Sequence, residues 1–363
     1  MKYDTGRNTE IPAYMQIYIR LREDIVKGVY SYGEKLPSKR VIAADFGVSV
    51  ITAEHSYGIL ADEGYIEARE RQGYFVIYRD GDAFPVASSE RDVPREVTNN
   101  ESGGEFFPFS VLAKTFRTVL SEYDSALLVK SPNFGCAELQ KAISAYLARS
   151  RNMDVKPSQI VIGSGAEYLY GIIVQLLGRD RIFALEDPSY EKIHKVYTSL
   201  GVSCRMLKMG GEGIKSEKLR STDATVLHIT PFNSYPSGVT ATASKRGEYI
   251  RWAKERGAYI VEDDFDSEFS VSTKTEATVF SLDPDGTVIY LNTFSKTIAP
   301  SMRIGYMVLP DKLLKELKEK LGFYSCTVPL FEQLVIARII NNGDFERHIN
   351  RVRRMRRKNS TAH

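Results

Sequence analysis

The sequence predicts a mixed α/β fold in two parts: a small helical module that ends in a hairpin, and a larger domain whose short apolar strands alternate with helices. Three observations carry this. Apolar residues recur at three- and four-residue spacing near the N-terminus, seven apolar runs alternate with helical stretches after residue 106, and a polar stretch without apolar period lies between. The 363 residues suffice for two or three domains with real cores, and 43% hydrophobic with 26% charged residues is the balance of a folded chain. No apolar stretch approaches the roughly 18 residues of a membrane span, and residues 1–10 are too polar for a secretory signal, so a cytoplasmic protein without membrane contact is expected.

In the first module, Tyr14, Ile17, Leu21 and Ile25 form one helical stripe that stops at Gly28, predicting a helix over about 13–27. Ser38 can cap a short helix carrying Val41, Ile42 and Phe46, ended by Gly47. Ser49 can cap another, whose Ala53, Tyr57 and Leu60 face inward until Gly64. Two helices across a tight glycine-containing turn make a helix-turn-helix, and the alternating stretches 65–69 and 73–78 add a hairpin wing. Residues 1–78 hold ten Lys and Arg against eleven Asp and Glu, so any DNA-binding face there must be local. Polar, turn-forming residues then give a linker over 80–105, which divides the chain into domains 1–79 and 106–363.

The seven strands are expected over 159–163, 181–185, 203–208, 225–229, 258–262, 287–291 and 304–309, in a sheet covered on both faces. Ligands of such sheets sit just past the carboxyl ends of the strands, which is where candidate residues are sought. The cysteines, Cys136, Cys204 and Cys326, are too far apart in sequence for a metal or redox pair and read as reduced buried thiols; no metal site is expected. The seven basic residues within 347–358 read as a solvated helix face.

Several strand exits carry polar or aromatic residues. Ser164-Gly165-Ala166 opens a helix whose amides could hold a phosphate, although a plain turn is the commoner meaning. Tyr190 could stack on a flat ring or pack in the core, and 230–238, with Asn233, could be a simple loop. The run 262–266, with Asp263, ends a strand where a buried carboxylate is costly without a cation, although Asp residues at exposed strand ends are common. The run 292–306 places Lys296 in a hydroxyl-rich turn seven residues before Arg303. Alone, each is weak. Together, an amine, a carboxylate for a pyridine nitrogen, a stacking aromatic, and Thr, Ser and Arg for a phosphate describe a site for pyridoxal 5′-phosphate.

On the runs PAYMQIYIRLREDIVKG, LPSKR, FGVSVIT and RQGYFV, the first module resembles the GntR winged helix; on EDDFDSEF and NTFSKTIAPSMRIGY, residues 106–363 resemble the fold-type I aminotransferases. The order of the two is similar to MocR/GabR-type transcription regulators, in which an aminotransferase-like domain senses a ligand through pyridoxal phosphate. The resemblance implies that Lys296 forms the internal aldimine, that Asp263 pairs with the pyridinium nitrogen and that Tyr190 stacks on the ring. It implies phosphate contacts from Ser164, Gly165, Ala166, Thr293, Ser295 and Arg303, and counts Asn233 among the cofactor residues. It places Ser38, Arg40, Ser49, Thr52, Gln72 and Gly73 at DNA, and implies a small amine or amino-acid effector and a homodimer. An aminotransferase with an appended helical module is the alternative. The chain departs from the family pattern at Phe265, where relatives have a tyrosine, at Asn233-Ser234, where they have His-Gln, and at Val50, where many have arginine. Relatives also run on beyond the position of His363, so a truncated small domain is expected.

Overall fold

A computed structural model describes residues 11–79, 107–265, 267–269 and 276–360, with Asn359 and Ser360 described as backbone alone. They fall into two compact units, within residues 1–98 and 99–363. The expected linker, 80–105, lies outside the described residues.

The small unit runs α1 (Ala13–Val26), α2 (Lys39–Phe46), α3 (Val50–Asp62), β1 (Ile66–Arg69) and β2 (Gly73–Val76). Its core gathers Ile17, Leu21 and Ile25 of α1 with Ile42, Ala53, Tyr57 and Leu60, closed by Leu36, Ile66 and Val76. The hydroxyl oxygen of Ser38 accepts from the Val41 N–H and that of Ser49 from the Thr52 N–H, satisfying first-turn amides of α2 and α3. Gly47 ends α2 at φ 64°, a left-handed conformation that glycine adopts without steric cost. β1 and β2 pair antiparallel with Ile66 opposite Val76, forming the wing.

The larger unit begins with α4 (Phe109–Tyr123), α5 (Ala137–Arg151), β3 (Ile160–Gly163), α6 (Ala166–Leu177), β4 (Ile182–Asp187) and α7 (Glu191–Ser199). It continues through β5 (Ser203–Gly210), β6 (Gly213–Ile214), α8 (Ser216–Ser221), β7 (Val226–Ile229), α9 (Ala243–Arg256) and β8 (Tyr259–Asp263). It closes with α10 (Val279–Leu282), β9 (Val288–Thr293), β10 (Gly305–Val308), α11 (Asp311–Leu321), α12 (Leu330–Asn341) and α13 (Asp344–Ser360). The sheet order is β3-β10-β9-β8-β7-β4-β5-β6. All seven expected strands are present; the expected count is corrected to eight by β6, whose two residues are too short to show a period. β4, β5, β7, β8 and β9 run parallel, while β10 pairs antiparallel with both β9 and β3. Every residue of β3, β7, β9 and β10 is buried, the consequence of covering a sheet on both faces.

Two further expectations are corrected. The basic run of α13 is not wholly a solvated face, because Phe345, Ile349 and Val352 are buried and the Arg353 Nε donates to the Glu268 carbonyl at 2.5 Å. Of the three free thiols, Cys136 is buried but Cys204 and Cys326 are only partly so. Cys136 is pushed up to about 11 by burial.

Candidate functional site

The antiparallel β10 brings the ends of three strands together, with Gly305 facing Gly163 on one side and Thr293 on the other. A Cβ on Gly305 would stand 3.1 Å from the Asn292 carbonyl oxygen, 3.2 Å from the Thr293 Cγ2 and 3.3 Å from the Gly165 Cα, so a side chain here would crowd this approach. Gly165 caps α6 at φ 91° with no side-chain acceptor for the helix amides, and the Arg303 guanidinium lies 3.0 Å from where its Cβ would be. Ser164, Gly165, Ala166, Thr293 and Arg303 therefore share one corner. Arg303 also pairs with Glu167 at 3.4 Å, and Glu167 with Lys192.

Asp263, at the end of β8, is 2% exposed. The Tyr170 hydroxyl donates to its Oδ2, and the His228 Nε2 stands 3.7 Å from the same oxygen. His228 is held in turn by the Tyr197 hydroxyl, 2.8 Å from Nδ1, and burial pushes it down to about 3, so the ring is neutral. Burial pushes Asp263 up to about 7; the Tyr170 hydrogen bond opposes this and the Asp264 charge adds to it. Its Oδ1 is buried with no hydrogen-bond partner among the described residues. Beside it, Glu186 of β4 accepts from the Ser234 hydroxyl at 2.6 Å and is pushed up to about 8 by burial.

The next carboxylate, Asp264, has the cation. Arg151 of α5 lies 3.1 Å away, with both side chains buried, and the Tyr290 hydroxyl donates to Asp264 at 2.7 Å. Asn292 links Tyr290 to Glu268, donating at 3.2 and 2.6 Å. The β8 exit thus carries two adjacent buried carboxylates, one matched by an arginine and one not.

The Lys296 Nζ lies 5.0 Å from the centre of the Phe265 ring, which ties the 292–306 turn to the β8 exit. Ser295 closes that turn by donating to the Met302 carbonyl at 3.0 Å. Tyr190 is half-exposed and meets Tyr235 edge-on at 6.0 Å. Asn233 is placed differently from the interior residues: it is exposed at φ 51°, its N–H donates to the Thr240 hydroxyl, and its neighbour Ser234 takes the buried position. Sequence reasoning missed Tyr170, Tyr197 and His228, and reached Glu186 only as part of the strand exit before Tyr190; the lone histidine in the apolar run of β7 was a signal.

Pyridoxal phosphate, the group the resemblance implies, fits these residues at two points. A pyridinium N–H would answer the orphaned Oδ1 of Asp263, and a phosphate would answer the uncapped start of α6 beside Arg303.

On the small unit, Arg40 and Gln72 are exposed, and Gly73 sits in the wing at φ 110°. Ser49 and Thr52 bond each other, their hydroxyls 2.8 Å apart. α3 carries no Lys or Arg; cations come from Lys39 and Arg40 on α2 and from Arg69 and Arg71 in the wing.

Comparison with known proteins gives a match of residues 13–76 to the bacterial regulatory proteins of the gntR family and of residues 99–361 to aminotransferase class I and II. The chain is 34% identical to the uncharacterized HTH-type transcriptional regulator YdeL of Bacillus subtilis, over 97% of this chain and 78% of that one. It is 26% identical to the HTH-type pyridoxine biosynthesis transcriptional regulator PdxR of Corynebacterium glutamicum, over 96% and 77%. Among solved structures, an archaeal alanine:glyoxylate aminotransferase is similar at a TM-score of 0.62 and 22% identity; the match covers 68% of this chain and 63% of that one.

Proposed function

Because the chain belongs to the gntR-type bacterial regulators that carry an aminotransferase class I and II domain, we propose that its larger unit senses a small amine, an amino acid or pyridoxal 5′-phosphate itself and thereby alters how the smaller unit holds DNA. The protein is a DNA-binding transcription regulator, and pyridoxal phosphate is the cofactor of its aminotransferase-like domain. In this reading Lys296 attaches the cofactor, Asp263 keeps its ring nitrogen protonated, and Tyr190 lies against the ring. Ser164, Gly165, Ala166, Thr293, Ser295 and Arg303 hold the phosphate. The cofactor supplies an aldehyde with which an amine can condense. Ser234 replaces Asn233 as the inward residue of its turn, since its hydroxyl is the one that reaches Glu186.

The orphaned Oδ1 of a buried Asp263 carries this reading, because a carboxylate kept from both cation and water is a cost that a pyridinium removes. Domain boundaries at 1–79, 80–105 and 106–363 go with it. A homodimer is supported by large apolar side chains exposed on the larger unit, Phe109, Leu128 and Phe323. A cytoplasmic location accords with the absence, among the described residues, of any helix long and apolar enough to cross a membrane. The reading of an enzyme with an appended module is not favoured, since the YdeL match runs through both units.

The test adds pyridoxal phosphate to the full chain, fixes it with borohydride, and compares duplex binding with and without it. Attachment at Lys296 together with a changed affinity supports the reading; attachment elsewhere, or an affinity indifferent to the cofactor and to added amines, refutes it.

A further inference from the structure

The surface of α3 is unlike the usual hydrogen-bonding reader of DNA. Ile51, Glu54, His55 and Gly58 share one outward face by their three- and four-residue spacing, and all are exposed. Ile51 is 78% exposed and its neighbour Val50 is 43% exposed. Nowhere does α3 carry Arg, Lys, Asn or Gln, the residues that pair bidentately with guanine or adenine. Two groups nearby that could reach bases are occupied. The Ser49 hydroxyl caps the helix and bonds Thr52, and Glu54 is paired with Lys39 at 2.5 Å. What the first turn of α3 offers is two branched apolar side chains at the point where a recognition helix enters the major groove.

The only apolar feature that a base pair presents in that groove is the thymine 5-methyl group. The surroundings argue for DNA rather than for an apolar protein partner. Arg40 stands exposed at the start of α2 and Arg71 at the wing, with Lys39 and Arg69 beside them paired to Glu54 and Glu67, so the apolar turn lies near cations suited to phosphates. The Lys39–Glu54 pair also links α2 to the second turn of α3, which removes the carboxylate that would otherwise repel the backbone. We propose that Ile51, with Val50 beside it, reads thymine through its 5-methyl group, so that this regulator's half-site is specified by methyl contact in place of bidentate hydrogen bonds. This rests on the DNA-binding role of the small unit.

The experiment selects binding sites for the full-length chain from random-sequence duplexes, then replaces each selected thymine with deoxyuridine. That exchange keeps base pairing and backbone and deletes only the methyl. The expected result is a loss of about fourfold at one or two positions per half-site, the worth of one buried methyl-sized group. Ile51→Ala is expected to lose most of the preference for thymine over uracil, with its salt dependence and melting temperature unchanged because the side chain lies at the surface. Uracil duplexes that bind the parent protein as well as thymine ones overturn the inference, as does an Ile51→Ala protein that keeps the full methyl preference. If no sequence is enriched, while binding is absent even at low salt, the DNA-binding role itself fails.

Discussion

The two candidate sites place their charges in opposite environments. On the small unit Arg40, Gln72 and the outward face of α3 are exposed, and Ser38 and Ser49 each cap a first-turn amide of the helix that follows. At the strand exits of the larger unit, Glu186, Glu262, Asp263, Asp264 and Glu268 are buried, and the Oδ1 of Asp263 is left without a partner among the described residues. A surface that already satisfies itself can lose one contact at small cost. A buried cluster that does not is costly to disturb, because each partner removed there leaves a charge or polar atom away from water.

The largest expected effect is therefore at Lys296. Lys296→Ala is expected to abolish borohydride-fixed incorporation of pyridoxal phosphate, read by mass spectrometry of the intact chain, while duplex binding persists without the cofactor. Next comes the pair behind the site. Arg151→Leu removes the cation from the buried Asp264 carboxylate, to which the Tyr290 hydroxyl also donates, and the loss of one partner of a buried pair costs about 3–5 kcal/mol. Thermal melting of the larger unit should fall by several degrees, and a melting point equal to the parent's would show that water or a neighbour takes over the charge.

A smaller effect follows from the raised carboxyls. Glu186 and Glu262 are each pushed up to about 8 and Asp263 to about 7, chiefly by burial. Their folded values exceed their unfolded ones, so their contribution is fully present below the unfolded carboxylate range near 4 and is lost as pH rises through 7 to 8. His228 works the other way: pushed down to about 3, it favours the fold above its ordinary value near 6.5 and opposes it as pH falls below that. The cofactor-free protein should thus melt at lower temperature as pH is raised from about 6.5 to 8.5. Glu186→Gln, which keeps an acceptor for Ser234, should flatten that decline; an unchanged decline would mean that the carboxyl is ionised throughout and contributes nothing to it.

This contrast also explains what the sequence made legible. Strands such as 288–293 announce themselves because burial on both faces demands an unbroken apolar run, and caps and wing announce themselves because Ser, Gly and period-two alternation act locally. Lys296, Asp263 and Arg303 were visible as chemistry-bearing residues at strand exits. Tyr170 and Tyr197 were not, because an aromatic on an apolar helix face looks the same in sequence whether its hydroxyl is idle or holds a carboxylate. Nor was it visible that Arg151 would serve Asp264 rather than Asp263, since the choice depends on how α5 packs against β8 from more than a hundred residues away. The inward turn of Ser234 and outward turn of Asn233 likewise depend on one backbone angle, φ 51° at Asn233, which the residue types alone leave open.

The smallest expected effect sharpens the surface half of the comparison. Arg40 is exposed at the start of α2, next to Lys39, which Glu54 already engages. If Arg40 meets a phosphate, binding releases one condensed counterion there, and the slope of log affinity against log salt carries about −0.9 from that contact. Arg40→Ala should then weaken binding modestly at low salt, flatten the slope by about one unit, and leave both sequence preference and melting temperature where they were. The measurement is fluorescence anisotropy on one selected duplex across a salt series, with parent and variant side by side. An unchanged slope would assign the phosphate contacts to Arg69 and Arg71 of the wing and leave Arg40 a surface charge, whereas an altered sequence preference would mean that Arg40 reaches a base edge and that α2, not only α3, reads the groove.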